Sequence, residues 1–163
     1  MIGKVMQDAV NEQINKELYS SYLYLSMAAY FEEKNLPGFA KWMHLQEGEE
    51  REHAMKLYGF LVDRGARVAL KAIAAPEGDW KSALDLFKQV AAHEAAVTAS
   101  IHSLYELALK EKDYPAQAML QWFITEQVEE EKNAAEIVSQ LELVEARGTA
   151  VLMLDHRLGK RGE

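Results

Sequence analysis

The stretch "EGEEREHA", Glu47 to Ala54, decides how this chain is read. It places four glutamates and a histidine inside a segment whose other periodic positions are mostly apolar. Within it, Glu50-Arg51-Glu52-His53 sets a carboxylate and an imidazole one helical turn apart on the same face. Working outward, Phe39, Met43, Gln46, Glu50, His53, Leu57 and Phe60 form a stripe of alternating three- and four-residue steps, the seam of a helix bundle. Charge therefore falls on the face where that helix meets its neighbours.

Three further stripes repeat the pattern. One runs Val10, Ile14, Glu17, Ser21, Tyr24, Ala28, Phe31; the next Leu84, Phe87, Ala91, Glu94, Thr98, Ile101, Tyr105. The last runs Leu120, Phe123, Gln127, Glu130, Ala134, Ile137, Leu141. Each stripe is interrupted midway by an acid. A constant shift of 77 positions carries Glu17 onto Glu94, Glu49 onto Glu126, Glu50 onto Gln127 and His53 onto Glu130, so the chain reads as two copies of one helical hairpin.

The breaks between stripes are legible. "KNLPG" (Lys34–Gly38) closes the first helix, and Gly65 is suited to the C′ position that ends the second. Asp79 is the expected N-cap of the third, and Asp113 that of the fourth, with Pro115 in its first turn. Gly148 and Thr149 set off a short tail helix with Val151, Leu154 and Leu158 on one face, an apolar face in need of a partner. Helices are expected over about 3–34, 38–64, 80–111, 114–145 and 149–159 of a single domain covering 1–163.

Connection lengths give the topology. Short links make each hairpin antiparallel. A helix of about 27 residues is about 40 Å long, and an extended link of about 14 residues reaches about 46 Å. The segment from Ala66 to Asp79 can therefore cross the whole bundle and leave the second and third helices parallel, with Val68, Leu70 and Ala72 expected to pack as it runs extended. The fold class is all-α: a four-helix bundle with a long crossover and a short fifth helix.

Composition narrows the chemistry. The net charge of −8 argues against nucleic acid and suits cations, and the absence of cysteine removes thiolate sites. No apolar run is long enough for a membrane span and the start lacks a signal peptide, so a cytoplasmic location is expected. Burying several carboxylates at one level costs several kcal/mol unless they are compensated, and no lysine or arginine lies on any of the four stripes. Two divalent cations would compensate them, and carboxylates with one imidazole suit iron or manganese. A bundle whose polar core satisfies itself is the other reading of the same residues.

The chain resembles the non-haem bacterial and archaeal ferritins, over nearly its full length. The resemblance lies in "NKELYSSYLYLSMAAYF" around Glu17, "EEREHA" around Glu50 and His53, "AAHEAAVT" around Glu94, and "LQWFITEQVEEE" around Gln127 and Glu130. It implies a diiron ferroxidase centre inside each subunit: Glu17, Glu50 and His53 on the first iron, Glu94 and Glu130 on the second, Glu50 bridging and Gln127 nearby. Tyr24 matches a tyrosine beside that centre, and Glu49, Glu126 and Glu129 match a third, transit iron site. Gln127-Val128-Glu129-Glu130 departs from the second E-x-x-H of bacterioferritins, so haem is not expected. The resemblance further implies oxidation of ferrous iron by dioxygen or hydrogen peroxide, storage of ferric mineral, and a homo-oligomeric shell of 24 subunits. A non-storage dimetal oxidase or peroxidase on the same bundle is the alternative; its rubrerythrin form needs cysteines, and this chain has none.

Overall fold

The computed structural model describes residues 1–144 and 148–162. Five helices are present among the described residues: α1 (Lys4–Glu33), α2 (Pro37–Asp63), α3 (Ala83–Lys110), α4 (Tyr114–Val144) and α5 (Gly148–Leu158). The expected continuation of the fourth helix to 145 lies outside the described residues.

The core is divided in two. One apolar cluster joins Tyr24 and Phe31 of α1, Phe39 and Met43 of α2, Phe87 of α3, and Ile137 and Leu141 of α4. The other joins Met6 and Val10 of α1, Leu57 and Leu61 of α2, Ile101 and Leu104 of α3, and Leu120 and Phe123 of α4. The late part of α1 thus sits with the early parts of α2 and α3 and the late part of α4. That grouping makes both hairpins antiparallel and α2 parallel to α3, the arrangement the long link requires. Between the clusters lies a polar layer at the middle of the bundle.

Helix ends follow local chemistry. Asp113 caps α4 by accepting from the Ala116 N–H at 3.1 Å. After α2 the chain turns at Gly65, with φ of +67°, while Gly65 N–H donates to Val62 O and Ala66 N–H to Leu61 O, the paired bonds of a Schellman ending. The third helix corrects the sequence reading. Its N-cap is Ser82, not Asp79, and the Ser82 hydroxyl accepts from Asp85 N–H at 3.1 Å. Trp80 is buried against Tyr30, with ring centroids 5.4 Å apart, and this holds the preceding chain outside the helix.

The crossover is held differently from expectation. Val68 packs on the second cluster, but Leu70 and Ala72 are exposed. Polar hooks on α1 hold the link instead. Asn11 accepts from Ala69 N–H at 2.7 Å and donates to Arg67 O at 3.2 Å, and Ser26 donates to Glu77 O at 2.6 Å. Extended backbone needs such partners, which side-chain alternation alone cannot provide.

The tail helix lies against the start of α2. Leu154 and Leu158 are buried in the first cluster and Val151 packs on it, so the apolar face expected to seek a partner is covered by its own bundle. Gly38 permits this approach: a Cβ there would stand 1.7 Å from Asp155 O. Asp155 in turn caps α2 across space, accepting from Phe39 N–H at 2.8 Å.

Candidate metal centre

Glu17, Glu50, His53, Glu94, Gln127 and Glu130 all lie in the middle layer, none more than 5 % exposed. The stripe pattern explains this: each sits where an apolar residue would otherwise face the bundle axis. Glu17, Glu50 and His53 bring ligand atoms within 4.8 Å of one another, and His53 Nδ1 is 3.6 Å from Glu50 Oε2. A second group of the same tightness joins His53, Glu126 and Glu130.

Neutral donors hold the other carboxylates. Glu94 accepts from the Tyr24 hydroxyl and from Gln127 Nε2 at 3.3 Å, while Gln127 also donates to Thr98 Oγ1 at 3.1 Å. Gln46, fully buried, donates to Glu130 Oε2 at 2.9 Å and to Glu50 Oε1 at 3.4 Å, joining the two hairpins. Gln13 donates to Glu17 Oε1 at 2.8 Å and accepts from Ser100 at 2.6 Å.

These donors do not saturate the layer. Glu17 Oε2 and Glu50 Oε2 are buried without a hydrogen-bond partner. Burial, and then the neighbouring Glu50 charge, pushes the Glu17 carboxyl up to about 8. Burial and Glu94 push Glu130 up to about 7, with Gln46 and Arg161 opposing. Burial and the Glu94 and Glu130 charges hold Glu50 well above the usual carboxylate range, and burial with Glu94 raises the Tyr24 hydroxyl. The layer is a set of carboxylates with one imidazole, and such an oxygen-rich set fits a hard or borderline divalent ion such as ferrous iron.

The carboxylates assigned to a third site have different surroundings. Glu126 joins His53 and Glu130, Glu49 is ion-paired with Arg161, and Glu129 is exposed. Glu49, Glu52, His53, Lys56, Trp122 and Glu126 line a cleft of about 460 Å³ that reaches His53 from the surface. Trp122 forms one wall, edge-on to His53 at 5.3 Å, with the Lys56 ammonium 4.1 Å from its ring centroid.

Sequence reasoning missed three contributors. Gln13 stands one turn before Glu17, and that i,i+4 spacing could have revealed it. Gln46 was visible on its stripe as a second polar interruption. Arg161 had no signal at all, since its place depends on where α5 docks.

Residues 7–144 match the family model for the ferritin-like domain. The chain belongs to the ferritin family. It is 35 % identical over 161 residues to the bacterial non-haem ferritin of Staphylococcus aureus, covering 99 % of this chain and 97 % of that one. Against the bacterial non-haem ferritin of Bacteroides fragilis it is 38 % identical, covering 99 % of this chain and all of the relative. Among solved structures, the open-pore ferritin of the hyperthermophilic archaeon Archaeoglobus fulgidus superposes with a TM-score of 0.97 at 47 % identity, covering 99 % of both chains. As in the sequence reading, this ferritin is all-α, and among its described residues no helix is long and apolar enough to cross a membrane.

Proposed function

We propose that the middle layer is a ferroxidase centre serving iron storage. Iron storage is the function that membership of the ferritin family assigns to the chain. Binding of the metal there is supported above all by the unpartnered Oε2 atoms of Glu17 and Glu50 beside His53. Buried carboxylate oxygens left without donors are costly, and a bound cation is the group that relieves them.

In this reading Glu17, Glu50 and His53 hold one ferrous ion. Glu50 reaches toward the second, held with Glu94 and Glu130, while Gln127 and Tyr24 keep Glu94 in place. Two ions side by side can pass two electrons to one dioxygen or peroxide molecule, and the anionic ligands favour the ferric product. His53 and Glu126 offer the way in from the cleft, and the ferric product leaves for a mineral core. The chain is read as a cytoplasmic homo-oligomeric shell of 24 copies, and exposed Leu152 and Met153 on α5 and Tyr22 and Leu25 on α1 offer apolar surface for contacts between copies.

Stopped-flow oxidation of ferrous iron by the assembled protein in air tests this. A fast phase saturating at about two irons per chain and lost in His53→Ala is expected. A wild-type protein with no fast phase would leave the layer to another metal or to the self-satisfied polar core.

A further inference from the structure

Beyond α5 the chain turns back over the bundle. Gly159 N–H donates to Asp155 O, Lys160 N–H to Arg157 O and Arg161 N–H to Leu158 O, and Lys41 Nζ donates to Gly159 O at 2.7 Å. This brings the Arg161 guanidinium to 4.7 Å from the ring centroid of buried Trp42. From there Nη1 donates to Gln46 Oε1 at 2.9 Å, and Nη2 pairs with Glu49.

We propose that Arg161 is a positioning residue for the metal centre: it fixes the Gln46 side chain that holds Glu50 and Glu130. The inference rests on the ferroxidase reading of that centre. A guanidinium has donors only, so the Gln46 atom facing Arg161 must be the amide oxygen. The amide nitrogen is thereby committed to the opposite side, where Glu130 and Glu50 accept its two hydrogens. One carboxylate comes from each hairpin, so a single amide sets their separation. Stacking on Trp42 and pairing with Glu49 hold the guanidinium itself, and the planar two-nitrogen fork is what lets one side chain address Gln46 and Glu49 together. The tail helix is in this way connected to the geometry of the centre.

A role through charge alone gives the opposite sign. Removing a cation and leaving Glu49 bare would tighten the binding of divalent ions. Losing the orientation of Gln46 would weaken it, since removing outer partners of metal ligands costs about 10- to 100-fold in affinity.

The test is anaerobic titration of assembled protein with Co(II), a redox-silent stand-in with a visible ligand-field spectrum. Wild type, Arg161→Ala, Arg161→Lys, Gln46→Ala and the Arg161→Ala/Gln46→Ala pair are compared. Arg161→Ala is expected to weaken Co(II) about tenfold and alter its spectrum. Gln46→Ala should do the same, and the pair should add little to either. Arg161→Lys keeps the charge without the fork and should show the altered spectrum too. Unchanged or tighter Co(II) binding in Arg161→Ala, or additive losses in the pair, would overturn the proposal. Co(II) bands that survive unchanged in a His53→Ala control would instead remove the centre on which it rests.

Discussion

Glu17 on α1 and Glu50 on α2 bring their carboxylates within 4.8 Å of each other and of His53, and each leaves its Oε2 buried without a partner. Burial and mutual repulsion raise both carboxyls well above the usual range, and holding two such groups away from water between the apolar clusters opposes folding rather than supports it. The site is held in a costly state by the packing around it.

One consequence concerns stability. Glu50→Gln keeps the shape of the side chain and removes the cost of burying an ionisable group, and in the absence of divalent ions it should raise the unfolding free energy by about 1–3 kcal/mol. The same variant should lose iron oxidation. Chemical denaturation with a chelator present checks the first half; a destabilised Glu50→Gln would show that the carboxylate is satisfied in a way the geometry does not provide.

The pH dependence has a definite sign. Glu17 and Glu130 are raised from 4.5 to about 8 and about 7 in the folded chain. Between those values and 4.5 the folded form holds more protons than the unfolded one, so their stabilising contribution is fully present below about pH 4.5 and fades as pH rises toward 8. Thermal scans with chelator should show a melting temperature falling from pH 5.5 to pH 8, with a shallower fall in Glu17→Gln. Parallel slopes for the two proteins would count against a protonated Glu17.

Tyr24 is buried completely and its hydroxyl donates to Glu94. Tyr24→Phe leaves Glu94 with Gln127 as its remaining side-chain donor among the described residues. Iron oxidation should slow about tenfold with the number of ions per chain unchanged, and stability should fall by about 1 kcal/mol. Stopped-flow rates alongside a binding titration separate these effects, and a lost ion would make Tyr24 a structural support of the site.

Gly38 carries the docking of α5. Gly38→Ala would drive a methyl group into the Asp155 carbonyl, so the helix must shift and the Asp155 cap on Phe39 must break. Loss of that cap alone costs about 0.5–2 kcal/mol. Limited proteolysis should cut the variant near 148–162 while α1 to α4 stay intact, and a tail as resistant as wild type would show that α5 is held by other contacts.

Much of this was written in the sequence because it is local and periodic. Stripe spacing put Glu17, Glu50, His53, Glu94 and Glu130 on the faces turned into the bundle, since a helix face is set by residues three and four apart. The length of the crossover was enough for its direction. What escaped depends on contacts between distant segments. Arg161 reaches Gln46 from 115 positions away and Asp155 caps Phe39 from 116, and neither pairing leaves a period to read. Ser82 displaced Asp79 as a cap because Trp80 is needed against Tyr30, a tertiary demand that outweighs local capping preference. Gln13 is a different case, a local i,i+4 partner of Glu17 that was overlooked.

The most direct measurement is anomalous X-ray diffraction at the iron edge from crystals soaked in ferrous iron without oxygen. Two peaks per chain inside the bundle are expected, one within ligand distance of Glu17, Glu50 and His53 and the other of Glu50, Glu94 and Glu130. A bundle interior without anomalous density, with iron only on exposed carboxylates such as Glu129, would contradict the assignment of the buried layer as the place where iron is oxidised.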